Sequence, residues 1–162
     1  MGSEILYIRD ERGEFIPADG EAVVAAAKAH LSRRVRRGAT LSSPGSVREY
    51  LAVKLGALDY EVFGLILVDA RHRVLEYVEL FRGTIDGASV HPREVVKLVI
   101  EKGASAVVAV HNHPSGVKDQ SRADEAITRR IKDCLALIDV RLLDHLVVAG
   151  PEVLSFAESG LL

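Results

Sequence analysis

Apolar residues fall into two kinds of pattern along this chain, short dense runs and wider helical spacings, and the two alternate. The densest run is EVFGLILVD, residues 61 to 69. It has almost no polar interruption, which predicts a strand covered on both faces. HRVLEYVELFRG, residues 72 to 83, alternates instead, as a strand with one face partly open to water does. The short turn at Ala70 and Arg71 joins the two into a predicted β-hairpin. ASAVVAV (104 to 110), RLLDHLVVAG (141 to 150) and a final short run from Val153 to Phe156 predict three further strands.

The segments between these runs carry helix signals. Asp19 precedes the alanine-rich EAVVAAAKAHLSRRVRR, a predicted helix capped by that aspartate, carrying arginines in its last turn and ended by Gly38. Ser46 with Glu49 three residues later forms a capping-box pattern that opens SVREYLAVKLGAL. Pro92 suits the first turn of a helix through PREVVKLVIEK, closed by Gly103. Another helix starts at Ser121 and runs to about Asp139, with the stripe Ile131, Cys134, Leu135 and Ile138 facing the core. Ile5 to Ile8 hold at most a short strand or ribbon. The main order is helix, strand, strand, helix, strand, helix, strand, which predicts an α/β fold with a mixed sheet flanked by helices.

Composition narrows this picture only a little. With 162 residues, 48% hydrophobic and 27% charged, the chain is of the ordinary globular kind, sized for one domain with a short appendage. ATLSSPG, residues 39 to 45, is the plausible boundary, giving a helical extension of 1–42 and a main domain of 43–162. A net charge of -2 selects no class of partner. No run approaches the roughly 20 apolar residues of a membrane span, and MGSEILYIRDERGEF lacks a signal-peptide pattern, so a cytoplasmic location without membrane association is expected. The single cysteine, Cys134, excludes a disulfide framework and a multi-cysteine zinc site. A metal would need histidine and carboxylate ligands.

Chemistry concentrates in VVAVHNHPSGVKDQSRADEA, residues 107 to 126. Alternate residues of an extended chain point to the same side, so His111 and His113 can present two imidazoles together at a strand end. Asp124, in the first turn of the next helix, is a natural third ligand; two histidines and one aspartate leave a tetrahedral position open, the composition of a catalytic zinc site. The bland alternative is that the histidines are loop polars and that Ser121 with Asp124 is an ordinary S-x-x-D helix start.

The joint spacing H-x-H-x7-S-x2-D, formed by His111, His113, Ser121 and Asp124, resembles the signature of the JAMM (MPN-type) metallohydrolases. HNHPSG, SRADEA, TRR and RLLDHLVV are similar to the RadC-type branch of that family, and the likeness extends over residues 43 to 156. The resemblance implies an MPN/JAB-like, cytidine-deaminase-like α/β fold, one zinc ion per chain on His111, His113 and Asp124, and cleavage of an amide, peptide or isopeptide bond. It also implies an upstream glutamate as general base. Glu61, at the start of the apolar strand, matches that position better than its competitors Glu76 and Glu79. Ser121 would then donate to the oxyanion.

Other residues receive structural roles. Asn112 and the Pro114, Ser115, Gly116 turn shape the loop. His91 reads as a cap or loop polar, His30 and His72 as surface positions, and His145 as a core histidine that could support a ligand from behind. The letters HNH do not make a nuclease here, since those enzymes spread their signature over a ββα element, and one cysteine excludes a zinc nucleobase deaminase. The RadC-type family carries a DNA-repair label, and its longer members bear a helix-hairpin-helix module that the short N-terminal segment here does not show. A DNA-associated protein that acts on or binds nucleic acid is the second reading, with phosphate contact possible at the cluster Arg33, Arg34, Arg36 and Arg37, a run more typical of a solvated helix end. A non-catalytic MPN-type interaction domain is the third reading, and it would lack the ligands.

Overall fold

The computed structural model describes residues 4–33, 36–41, 44–83 and 90–162. Its elements run β1 (Tyr7–Arg9), β2 (Phe15–Pro17), α1 (Gly20–Ser32), α2 (Pro44–Leu55), β3 (Val62–Val68), β4 (Val74–Arg82), α3 (Pro92–Lys102), β5 (Ala106–Asn112), α4 (Arg122–Ala136), β6 (Arg141–Ala149) and β7 (Glu152–Ser155). β1 and β2 pair as a separate antiparallel ribbon, and the other strands form one sheet in the order β4-β3-β5-β6-β7. β5 and β6 are parallel, and the remaining neighbours are antiparallel. A parallel pair needs a crossover, and α4 supplies it. This is the mixed α/β sheet flanked by helices that the patterning predicts, with β3 and β4 as the hairpin.

Every residue of β3 and of β5 is buried. These strands lie in the interior of the sheet with helices on both sides, which is why their sequences lack the alternation of a one-sided strand. The period of two divides their side chains between two cores. Phe63, Leu65, Leu67, Val107 and Ala109 meet Val95 and Val99 of α3 and Ile127, Ile131 and Leu135 of α4. Ile66, Val68, Val108 and Val110 meet Leu51 and Leu55 of α2 on the opposite face. Each large apolar side chain among them contributes on the order of 2 kcal/mol by leaving water.

The helix ends follow local chemistry in most places. Asp19 accepts a 2.7 Å hydrogen bond from the Ala22 N–H at the start of α1. Pro92 opens α3, and Gly103 closes it at φ 64°, a left-handed conformation that glycine adopts without a Cβ penalty. Ser121 caps α4 through a reciprocal box, its Oγ accepting from the Asp124 N–H while its own N–H donates to the Asp124 carboxylate.

Four boundaries differ from the sequence expectation. α1 ends at Ser32, so Arg33, Arg36 and Arg37 lie beyond it; residues 38 to 41 run along the start of β4, where the Gly38 N–H donates to the Val74 carbonyl and the Leu41 N–H to that of His72. Helix α2 starts at Pro44, which puts Ser46 inside the first turn and not at the cap. Proline favours that first turn, where its missing N–H has no partner to lose. β5 extends through His111 and Asn112, two residues past the apolar run, because its ladders to β3 and β6 continue there. α4 stops at Ala136, three residues short of Asp139, which turns left-handed at φ 57°. The expected boundary between residues 42 and 43 falls outside the described residues.

Candidate metal centre

The site is built where β5 ends beneath the start of α4. His111 shares the face of β5 that carries Val107 and Ala109, so its ring enters the α3/α4 side of the sheet, where it is 0% exposed. The His113 N–H still donates to the Val148 carbonyl at 2.8 Å, which holds the chain extended for one more residue and returns His113 to the same side. Asp124 descends onto them as the third residue of α4. One ligand atom from each of the three lies within 4.8 Å of the others.

The hydrogen bonds around the rings show which atoms face inward. His113 Nδ1 lies 2.9 Å from the Val117 carbonyl oxygen, which can only accept, so Nδ1 carries the proton. His111 Nδ1 lies 2.8 Å from His145 Nε2. Both Nε2 atoms are therefore directed inward, 2.9 Å from each other and 3.2 and 3.5 Å from the two Asp124 oxygens. Two imidazole nitrogens and a carboxylate meeting in one buried spot repel unless a cation or a proton lies among them, and this donor set suits a borderline divalent ion such as zinc. Burial by itself would raise the Asp124 carboxyl, but the His111 and His113 rings beside it outweigh that and hold the group well below the usual carboxylate range. His113 is pushed above its ordinary value by its bond to Asp124, against the effect of burial, with Val117 and the charge on Glu61 adding to the rise.

Glu61 reaches this place by sheet register. Phe63 pairs with His111 across the antiparallel β3 and β5. Glu61 precedes Phe63 by two residues, the spacing that returns a side chain to the same face of an extended chain, and its charge reaches His113. The competing glutamates are committed elsewhere. Glu76 pairs with Leu67 toward the opposite end of β3 and holds Lys102 Nζ at 2.8 Å, and Glu79 holds Arg82 at 3.3 Å.

Asn112 has a larger role than loop shaping. It is buried, and its Oδ1 accepts from the Val62 N–H at 2.7 Å while its Nδ2 donates to the Tyr60 carbonyl at 3.0 Å. One side chain thereby clamps the backbone on both sides of Glu61. The strand-extending HNH pattern was the available signal; the partner 50 residues away in sequence was not. Ser121 is exposed at the mouth of the site, and the helix-cap reading of it is realised. The cap uses its oxygen as an acceptor, and the hydroxyl proton is not consumed by it.

His145 stands directly behind His111, as the sequence allowed. It is fully buried, stacked on Phe156 at 4.8 Å and edge-on to Phe63 at 5.7 Å, and its Nδ1 lies 2.5 Å from Thr128 Oγ1. Burial pushes its pKa well below the usual histidine value, and the neighbouring His111 adds to this. Thr128 is visible in the sequence only as the first residue of the family-like stretch TRR, and nothing there gives it a role until the fold sets it against His145. His91 occupies the N-cap position of α3 without a side-chain cap bond, and His72 accepts from Arg141 at 3.0 Å. Arg33, Arg36 and Arg37 are exposed, and Arg34 falls outside the described residues. Cys134 is half-buried on α4. Among the described residues, no helix is long and apolar enough to cross a membrane.

Residues 41–161 match the family model described as RadC-like JAB domain. The chain is 54% identical over 142 residues to a UPF0758 protein of Thioalkalivibrio sulfidiphilus, covering 88% of this chain and 63% of that one. It is 53% identical over 142 residues to a UPF0758 protein of Nitrosococcus oceani, with the same coverage. A UPF0758 protein of Shewanella amazonensis is 56% identical over 139 residues, covering 83% of this chain and 62% of that relative. The chain thus spans less than two thirds of the length of these relatives.

Proposed function

The chain belongs to the RadC-like JAB domain family, and on that premise we propose that it is a zinc-dependent hydrolase that cleaves an amide, peptide or isopeptide bond. The observation that carries this reading is the inward convergence of His111 Nε2, His113 Nε2 and the Asp124 carboxylate, each held from behind by a hydrogen bond. His111, His113 and Asp124 would hold one zinc ion. Bound there, zinc supplies hydroxide near neutral pH by lowering the pKa of its water to roughly 7.

The protein's own groups divide the remaining work. Glu61, whose flanking backbone the Asn112 clamp holds, takes the proton of the attacking water and passes it to the leaving amine, which would otherwise depart as a poor anion. The Ser121 hydroxyl, fixed by the cap of α4 but keeping its proton, donates to the carbonyl oxygen as charge builds on it. Asp124 is the one ligand of the three that brings a negative charge, so the set would only partly neutralise a divalent ion held there.

The test has two parts. Protein purified without added zinc is expected to contain it stoichiometrically and to lose it in His113→Ala; equal metal content in both proteins would sink the reading. A screen of peptide, isopeptide and nucleic-acid substrates is then run with wild type beside Glu61→Gln. Amide cleavage that depends on Glu61 supports the assignment, whereas cleavage confined to DNA moves the activity to phosphodiesters.

A further inference from the structure

Behind the ligand set, three hydrogen bonds link four groups in a chain. Thr128 Oγ1 donates to the Asp124 backbone carbonyl at 2.6 Å, lies 2.5 Å from His145 Nδ1, and His145 Nε2 lies 2.8 Å from His111 Nδ1. We propose that Thr128 and His145 are positioning residues that fix His111 in the tautomer protonated on Nδ1, so that its Nε2 lone pair is aimed at the ion before the ion arrives. This rests on His111 being a metal ligand.

The assignment follows from counting protons. A threonine hydroxyl has one, and here it goes to the Asp124 carbonyl, which can only accept. The Thr128 oxygen must therefore accept from His145, and the proton of His145 sits on Nδ1. Both ring nitrogens of His145 are taken by uncharged groups and its ring lies between Phe63 and Phe156, surroundings that disfavour an imidazolium. A neutral His145 then has only a lone pair at Nε2, which accepts from His111 Nδ1–H. His111 Nε2 is left bare, facing His113 and Asp124.

The chain of hydrogen bonds has two consequences. It starts at the backbone of Asp124 and ends at the ring of His111, so two of the three ligands come from separate elements, α4 and β5, yet are registered to one another through β6. A ligating histidine is usually backed by a carboxylate, a carbonyl or water. Here the backing group is a neutral imidazole, which orients the ring without adding negative charge.

Thr128→Val is close in shape and removes the acceptor. His145 is then free to shift its proton to Nε2 and donate to His111, which turns His111 into the tautomer protonated on Nε2, the wrong one for an ion. Nitrogen NMR of the imidazoles in metal-free wild-type protein is expected to show His145 and His111 both protonated on Nδ1, with Thr128→Val moving both and Thr128→Ser restoring them. Zinc titration against a competing chelator is expected to show an affinity about 10- to 100-fold lower in Thr128→Val and wild-type affinity in Thr128→Ser. Wild-type His111 protonated on Nε2, or unchanged zinc affinity in Thr128→Val, overturns the proposal. The wild-type spectrum needs no variant, so it decides even if Thr128→Val does not fold. A wild-type protein with the expected tautomers that takes up no zinc would overturn the hydrolase reading and leave the assigned tautomers standing.

Discussion

The end of β5 and the N-terminal ribbon are built on opposite terms. At the first, His111, Asn112, Asp124, Thr128 and His145 are buried, although all are polar. At the second, Ile5, Leu6, Tyr7, Phe15 and Ile16 are exposed, although all are large and apolar, and α1 beside it has no buried residue. A buried polar group costs several kcal/mol unless hydrogen-bonded, and each of the five has a partner within the protein. An exposed apolar residue costs the folded state little, because the unfolded chain exposes it too. The contrast teaches where tolerance to change should lie: the β5 end is a mutually dependent set, and the ribbon is a collection of nearly independent positions.

The largest expected break is chemical. Glu61→Gln should lower turnover by about 10²- to 10⁴-fold, roughly 2.7 to 5.4 kcal/mol of barrier, while zinc content measured by atomic absorption stays at the wild-type level. Loss of metal together with activity would show that Glu61 is a structural part of the set and not its base. Next comes the ion itself. Zinc at about 100 times its dissociation constant should stabilise the wild type by about 2.7 kcal/mol, a rise of roughly 5 to 10 °C in melting temperature for a protein of this size. A chelator should reverse that rise, and Asp124→Ala should show neither change in the same calorimetric scan.

Asn112→Ala strands the buried Val62 N–H and the Tyr60 carbonyl, and should cost about 1 to 3 kcal/mol in urea unfolding. It should also reduce turnover more than zinc affinity, since the clamp holds the Glu61 backbone and not a ligand. The smallest effect is expected at the ribbon. Phe15→Ser exposes nothing that is not already exposed and should change stability by no more than about 0.5 kcal/mol, with zinc affinity unchanged. A loss of 2 kcal/mol or more there would erase the contrast between the two regions.

Most of the site was legible before the fold was known, because its members lie within fourteen positions from His111 to Asp124. A strand ending in two alternate histidines and a helix opening on S-x-x-D constrain each other through one loop, and local geometry suffices to bring them together. Glu61 was reachable only through the family pattern, since it comes from a separate strand. Asn112 was underestimated for the same reason, as the groups it clamps are 50 and 52 positions away. The ribbon of β1 and β2 was barely visible, each strand having three residues and little periodicity. Ser46 was misread because a capping box and an interior pair of a first turn look alike without the chain's path.

By itself, then, the sequence determined which segments are strands and helices and which three side chains could converge, since periodicity, caps and turn residues act within a few positions. Only the tertiary structure decided how those side chains are held. The order β4-β3-β5-β6-β7 sets β3, which Glu61 precedes, beside β5 and His145 behind His111, and it brings Thr128 against His145. The orientation of a ring and the nitrogen on which it keeps its proton depend on partners from other elements. No local pattern records those partners, and hydrogen-bond geometry over a few ångströms selects them once the sheet has assembled.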